Sequence, residues 1–216
     1  MRVRRIATAI AAVCVAGGLA ASAHGAGEPA YGCKKIHRGQ AEINPNPNGL
    51  PPVAIGDSTM ILPIPNLDAV GYSVNARGCR GFREAINIAA RLKRKHRLPH
   101  LVLINAYGNG GVNPRLIAEA LEVLGKKRTL GLITAYNADT GEPPAPDTDV
   151  LFKAARQYPH RIFVLDWVKY SRPHHAAEPK PGAWFLPDLF HPSYTGADAF
   201  AQFLAGAPMA RNGRFP

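Results

Sequence analysis

Asp188 and His191 stand three residues apart in "DLFHPSYTGADAF", just ahead of the last helical stretch of the chain. At that spacing within a loop, a carboxylate can accept the Nδ1–H of the imidazole and fix the tautomer whose Nε2 is free to take a proton. Such a base needs an alcohol to act on, because a serine at its own pKa is a poor nucleophile. Ser58 fits that need. It lies in "PVAIGDSTMI" (52–61), directly after the apolar run "VAI", so its hydroxyl is expected at the carboxyl end of a strand. The Gly-x-Ser-x-Gly elbow of the α/β-hydrolases fails here, since Met60 takes its fifth position. On "GDS" alone, a turn serine is as good a reading as a nucleophile. On "DxxH" alone, a helix-capping pair is equally good. Taken together, they suit acyl transfer through a serine.

The elements that must bring these residues together can be read from hydrophobic patterning. "PVAI" (52–55), "AVGYSV" (69–74), "HLVLINA" (100–106), "RTLGLITA" (128–135) and "RIFVLD" (161–166) are short, nearly continuous apolar runs. Strands buried on both faces look like that. Helical stretches lie between them: "FREAINIAARLKRK", "NPRLIAEALEVLG" with its early Pro114 and closing Gly125, and "DTDVLFKAARQYP"; "SYTGADAFAQFLAG" ends the series. Alternation of this kind predicts an α/β fold: a three-layer α/β/α sandwich around a five-stranded, mostly parallel sheet. Ligands in such sheets sit beyond the carboxyl ends of the strands. Two long loops, 137–146 and 171–192, are expected near function, and Trp184 and Phe185 in the second serve either a substrate subsite or packing.

At these two ends the chain resembles the SGNH hydrolases, also called GDSL esterases, over about residues 51 to 206. "GDS" with Ser58 matches the first block, with Thr59 where Leu is usual. Asp188-x-x-His191 matches the last, followed by Pro192 and Gly196. "VNARGCRGF" (74–82) and "VLDW" (164–167) look most like the soluble tails of membrane acyltransferases that modify cell-wall glycans. The resemblance implies a flavodoxin-like fold and a Ser58–His191–Asp188 triad. It also implies an oxyanion hole from the Ser58 N–H, the Asn109 amide and a backbone N–H of Gly78 or Cys79. Asn109 falls in place within "NAYGNGG", although Tyr107 takes the usual Gly position and Asn105 competes for the role. The implied chemistry is hydrolysis of small acyl esters, O-acetyl groups of wall glycans among them, with no cofactor and no metal. The alternatives are O-acyl transfer to a wall glycan and a non-catalytic wall-binding module.

Composition sets the outer limits. The 216 residues suit one globular domain, and 46% hydrophobic against 19% charged residues excludes a disordered chain. "MRVRR", an apolar run and "ASA" ending at Ala23 read as a signal peptide over residues 1–23. Residues 24–50, rich in Gly, Pro and Asn, read as an irregular arm, 51–206 as the hydrolase domain and 207–216 as a tail. Export to the cell wall or periplasm is therefore expected, with no membrane span left after cleavage. Without the leader the net charge falls from +11 to +8, which draws the protein to anionic surfaces such as wall polymers; export argues against nucleic acid. Cys33 and Cys79 remain in the mature chain, either as one bridge or as two buried thiols. The adjacent histidines of "HHAAE" (174–178) are poor chelating geometry, and the acids of 138–149 lack calcium-loop spacing.

Overall fold

The structure is a computed structural model, and it describes residues 31–207. The proposed signal peptide, the start of the arm and all but the first residue of the tail lie outside these residues. The apolar runs do become strands: β2 (Val53–Gly56), β3 (Ser73–Ala76), β4 (Leu101–Asn105), β5 (Thr129–Ile133) and β6 (Ile162–Leu165) are all parallel. The sheet has six strands rather than five. The extra one, β1 (His37–Gly39), comes from the arm read as irregular and pairs antiparallel with β3, His37 opposite Ala76 and Gly39 opposite Val74. Three residues, "HRG", carry no apolar alternation, so only the open edge of β3 selects them.

The third strand also differs from its sequence reading. Residues 69–74 were expected as a strand, but Ile64–Ala69 forms helix α1 and the strand starts at Ser73. Pro65 near the helix start suits a first turn, and Gly71 at φ +93° reverses the chain before β3. The remaining helices are α2 (Phe82–Arg94), α3 (Pro114–Leu124), α4 (Thr148–Gln157), the short α5 (Trp167–Ser171) and α6 (Tyr194–Ala205). Three of them, α3, α5 and α6, carry a side-chain N-cap, that of α5 being Asp166. Asn113 Oδ1 accepts from the Leu116 N–H at 3.0 Å and Ser193 Oγ from the Gly196 N–H at 3.2 Å.

Alternate side chains of each strand feed two separate cores, and this makes the three layers. Ile55, Val102, Ile104, Leu130 and Leu132 pack under α2, α3 and α4 against Phe82, Ile86, Ile117 and Leu151. Ala54, Leu103 and Ile133 face the other way, toward Leu67 of α1, Trp167 of α5, and Phe200 and Leu204 of α6. The hydroxyl of the buried Tyr72 donates to the Leu204 carbonyl at 2.8 Å and fastens α6 to this face.

Strand order is β1-β3-β2-β4-β5-β6. From β2 the chain first moves outward to β3, then crosses back to β4 on the other side. The direction reverses between β2 and β4, which opens a crevice beyond their carboxyl ends. Ser58 follows β2 and Asn109 follows β4, so both lie at that crevice.

Candidate active site

The Ser58 turn is built from the core outward. After Gly56 the chain makes one 3₁₀ turn, Ser58–Met60, capped by the carboxylate of Asp57. Asp57 Oδ1 accepts from the Thr59 N–H at 3.0 Å and from the Thr59 hydroxyl at 2.7 Å, and Oδ2 accepts from Asn109 Nδ2 at 3.2 Å. The Asp57 N–H donates to the Asn105 carbonyl at 2.9 Å, and Asn105 Nδ2 donates to Thr59 Oγ1 at 3.0 Å. These bonds sew the turn to the exit of β4. Asp57 is fully buried, and loss of solvent pushes its pKa up, while bonds from Thr59 and Asn109 and the charge of His191 pull the other way. That electrostatic interaction places the His191 imidazole near the serine turn.

The Asp188–His191 loop is organised by one carboxylate. Asp188 Oδ1 accepts from the N–H groups of Phe190 at 3.0 Å and His191 at 2.9 Å, and Oδ2 lies 2.6 Å from His191 Nδ1. Burial alone would raise the Asp188 pKa. The bonds from the His191 ring and the two backbone N–H groups outweigh it, and the group is held at about 2. Asp188 is therefore ionised wherever an imidazole can titrate, and Nδ1 keeps its proton. Nε2 of His191 is buried and forms no hydrogen bond, to Ser58 Oγ or to anything else among the described residues. Catalytic hydrogen bonds of this kind are often loose without substrate and tighten in the complex. Gly141 of the 137–146 loop packs on the Asp188 carbonyl, and a Cβ there would come within 2.6 Å of that oxygen.

The loop after β3 carries the Cys33–Cys79 disulfide, with the two Cα atoms 5.1 Å apart. Cys79 sits at φ +57°, in the left-handed region. Among the described residues the N–H groups of Ser58, Gly78 and Cys79 donate no hydrogen bond, so all three can donate to a ligand oxygen. Asn109 spends one amide hydrogen on Asp57 and retains a second. Asn105, its competitor, is turned inward to Thr59.

Arg80 was missed in the sequence. Its guanidinium is fully buried; Nη1 donates to the Gly56 carbonyl at 2.7 Å and to the Asn75 carbonyl, and Nη2 to Asn75 Oδ1 at 2.8 Å. Burial lowers its pKa to about 10, opposed by Glu84, whose carboxylate lies 3.6 Å from Nε. The cation survives at neutral pH and ties the ends of β2 and β3 together. Nothing in "RGCRG" separates this arginine from an exposed one.

Other sequence candidates find structural roles. Tyr107, in the usual Gly position, is buried; its hydroxyl accepts from the Ala135 N–H at 2.9 Å and pairs with Thr148 Oγ1 at 2.9 Å. Phe185 is core, and Trp184 stacks on His174 at 3.8 Å between ring centroids. His175 stacks on Tyr136 at 4.1 Å, and its Nε2 donates to the Leu189 carbonyl at 2.9 Å. That bond supports the His191 loop where Leu189 holds φ +56°. Each histidine of the pair is thus held by stacking, and no cluster of His, Cys, Asp and Glu that could hold a metal occurs among the described residues. No described helix is long and apolar enough to cross a membrane.

No protein-family model matches the chain, and no curated protein matches it in sequence. Solved structures do. The C-terminal catalytic domain of peptidoglycan O-acetyltransferase A from Streptococcus pneumoniae, determined with a methylsulfonyl adduct, superposes with a TM-score of 0.59 at 22% identity, over 76% of this chain and 95% of that one. A putative acylhydrolase from Bacteroides fragilis gives 0.54 at 16% identity, over 80% and 92%. The fold is that of the SGNH hydrolases.

Proposed function

We propose that the protein is an exported serine ester hydrolase for small acyl esters, with O-acetyl groups of cell-wall glycans as its substrate class. The observations that support this reading are the Asp188–His191 pair at 2.6 Å, whose buried Nε2 has no partner among the described residues, and the electrostatic interaction of His191 with Asp57, the neighbour of Ser58. In the proposed reaction Ser58 Oγ attacks the ester carbonyl carbon and passes its proton to His191 Nε2. The carbonyl oxygen becomes an oxyanion met by the N–H groups of Ser58 and the 78–79 loop and by the free hydrogen of Asn109. Asp188 steadies the imidazolium. The C–O bond to the alcohol then breaks, His191 returns the proton to the leaving oxygen, and the acyl group remains on Ser58. Water, deprotonated by the same imidazole, repeats the sequence and releases the acid.

The test is Ser58→Ala with p-nitrophenyl acetate as substrate: activity should vanish while the melting temperature stays, and a fluorophosphonate should label wild type alone. Undiminished hydrolysis by the variant would sink the assignment. A second reading, acyl transfer to a glycan, is favoured by the likeness to an O-acetyltransferase domain. It predicts a product shift from free acid to acylated glycan when acceptor is added. Failure to label with fluorophosphonate at all would leave the non-catalytic wall-binding module.

The charge distribution supports the anionic partner. Of the 21 lysines and arginines in residues 31–207, nine gather at the opposite end of the sheet, in 91–97, 126–128 and at Arg161, leaving twelve against fourteen carboxylates elsewhere. Arg128 and Arg161 are engaged with backbone carbonyls there. The exposed Arg91, Lys93, Arg94, Lys95, Arg97, Lys126 and Lys127 form no ion pair among the described residues. We assign this pole to a polyanionic wall polymer. Reversing Lys93, Lys95 and Lys127 to Glu should abolish salt-sensitive retention on such a polymer and spare ester hydrolysis; retention that survives both the variant and salt refutes the assignment.

A further inference from the structure

Tyr31, at the start of the described chain, lies far in sequence from every residue of the proposed triad, yet its ring stacks on the His191 imidazole. The ring centroids are 4.2 Å apart and the planes 23° from parallel. On another side the imidazole meets the edge of Phe190, at 4.9 Å and 79°. With Asp188 at Nδ1, the ring is held on three sides. The arm that delivers Tyr31 is itself fastened. Its carbonyl rests on Gly78, where a Cβ would fall 1.9 Å from that oxygen, so only glycine admits the arm at this height. Two residues on, Cys33 is bonded to Cys79. Beyond that, β1 pairs with β3.

We propose that Tyr31 is a positioning residue for His191, and that the Cys33–Cys79 bond holds it there. This rests on the serine-hydrolase reading above. The physical reason is geometric and electronic. A His side chain on a loop keeps freedom about its two torsions, and a stacked ring removes the rotations that would swing Nε2 away from Ser58. The face of a tyrosine also carries negative charge, which favours the imidazolium that forms when the serine gives up its proton. Because one covalent bond joins the arm to the 78–79 loop, the base and the oxyanion donors of that loop are set by a single unit. Gly78 and Cys79 therefore act with His191 through that unit.

The prediction separates positioning from packing. Tyr31→Ala should lower kcat for p-nitrophenyl acetate about 10-fold with KM unchanged, and slow fluorophosphonate labelling by the same factor. Tyr31→Phe, which keeps the face and drops the hydroxyl, should restore both. Tyr31→Leu keeps apolar volume without a ring face; it should behave as the alanine variant and serves as the test if that one folds poorly. The Cys33→Ala/Cys79→Ala double variant should lose kcat to a similar extent, and adding Tyr31→Ala to it should cost less than 2-fold more. Unchanged kcat in both Tyr31→Ala and Tyr31→Leu overturns the proposal, as does a raised KM at constant kcat. Fully additive losses overturn the disulfide's part in it. If Ser58→Ala retains activity, it is the hydrolase reading that fails; if Ser58→Ala is dead and Tyr31→Leu is normal, only this inference falls.

Discussion

The two halves of the proposed triad are held by different physics. Ser58 sits on one turn between a fully buried strand and a web of buried bonds through Asp57, Thr59, Asn105 and Arg80, and Met60 behind it is wholly in the core. Asp188 and His191 sit on an irregular loop; the Asp188 side chain is 48% exposed, and its contacts are mostly with its own near neighbours. The first half is a product of the fold. The second is a local device laid onto it, with help from Gly141, His175 and the arm. The nucleophile should therefore be hard to move without unfolding the protein, and the base easy to disturb without doing so.

That contrast can be broken at either half. Its strongest form concerns His191→Ala, which should reduce kcat/KM by at least about 10⁴-fold, as loss of a triad base does, with a nearly unchanged melting temperature. A large drop in melting temperature would show that the loop is as integral as the strand turn. Next comes Asn109→Ala, expected to cost about 10² to 10³ in kcat through the lost oxyanion donor. Part of that loss should come from Asp57, which is left with one partner fewer; an effect confined to KM would remove Asn109 from the oxyanion role. On the stability side, Arg80→Leu strands two carbonyls and Asn75 Oδ1 in the interior and should cost about 3 kcal/mol in denaturant unfolding. A loss below 1 kcal/mol would mean that the serine turn does not depend on that cation.

The smallest effect sharpens the picture with pH. The Asp188 pKa is depressed from 3.8 to about 2, so the contribution of this group to stability is complete above pH 4 and is lost as pH falls from about 4 to about 2. Asp57 has the opposite sign, since its raised pKa makes the folded state lose stability as pH rises from 3.8 toward the raised value, with the full penalty above it. The melting-temperature difference between wild type and Asp188→Asn should accordingly be small at neutral pH, because the group is half exposed, and shrink to zero near pH 2. A difference that grows on acidification would contradict the hydrogen-bond origin of the shift.

Much of this architecture is legible in the sequence because hydrophobic periodicity is a core property. β2, β4, β5 and β6 and the four longer helices are all present where the apolar patterns place them. Asp188-x-x-His191 is legible for a related reason: the partners are three residues apart, so a local rule suffices. What escapes is decided at long range. β1 exists because β3 offers an edge, and β3 starts later than its apolar run because Gly71 ends a helix that the run also permits. Arg80 is buried because carbonyls from two strands converge on it. Tyr31 reaches His191 on an arm that the Cys33–Cys79 bond and the pairing of β1 with β3 return to the domain. The count of two cysteines leaves a bridge and two thiols both open, and neither the bond nor what it brings along could be read from the sequence.

That bond also changes what a protease can achieve. The 46-residue separation between its cysteines encloses the exposed, proline-rich bend at 44–50 together with β1, β2, the serine turn, α1 and β3. Closing a ring of that size removes about 4 kcal/mol of chain entropy from the unfolded state in the simplest treatment. A nick in the bend would leave both fragments on one covalent frame, migrating as a single species until reductant separates them.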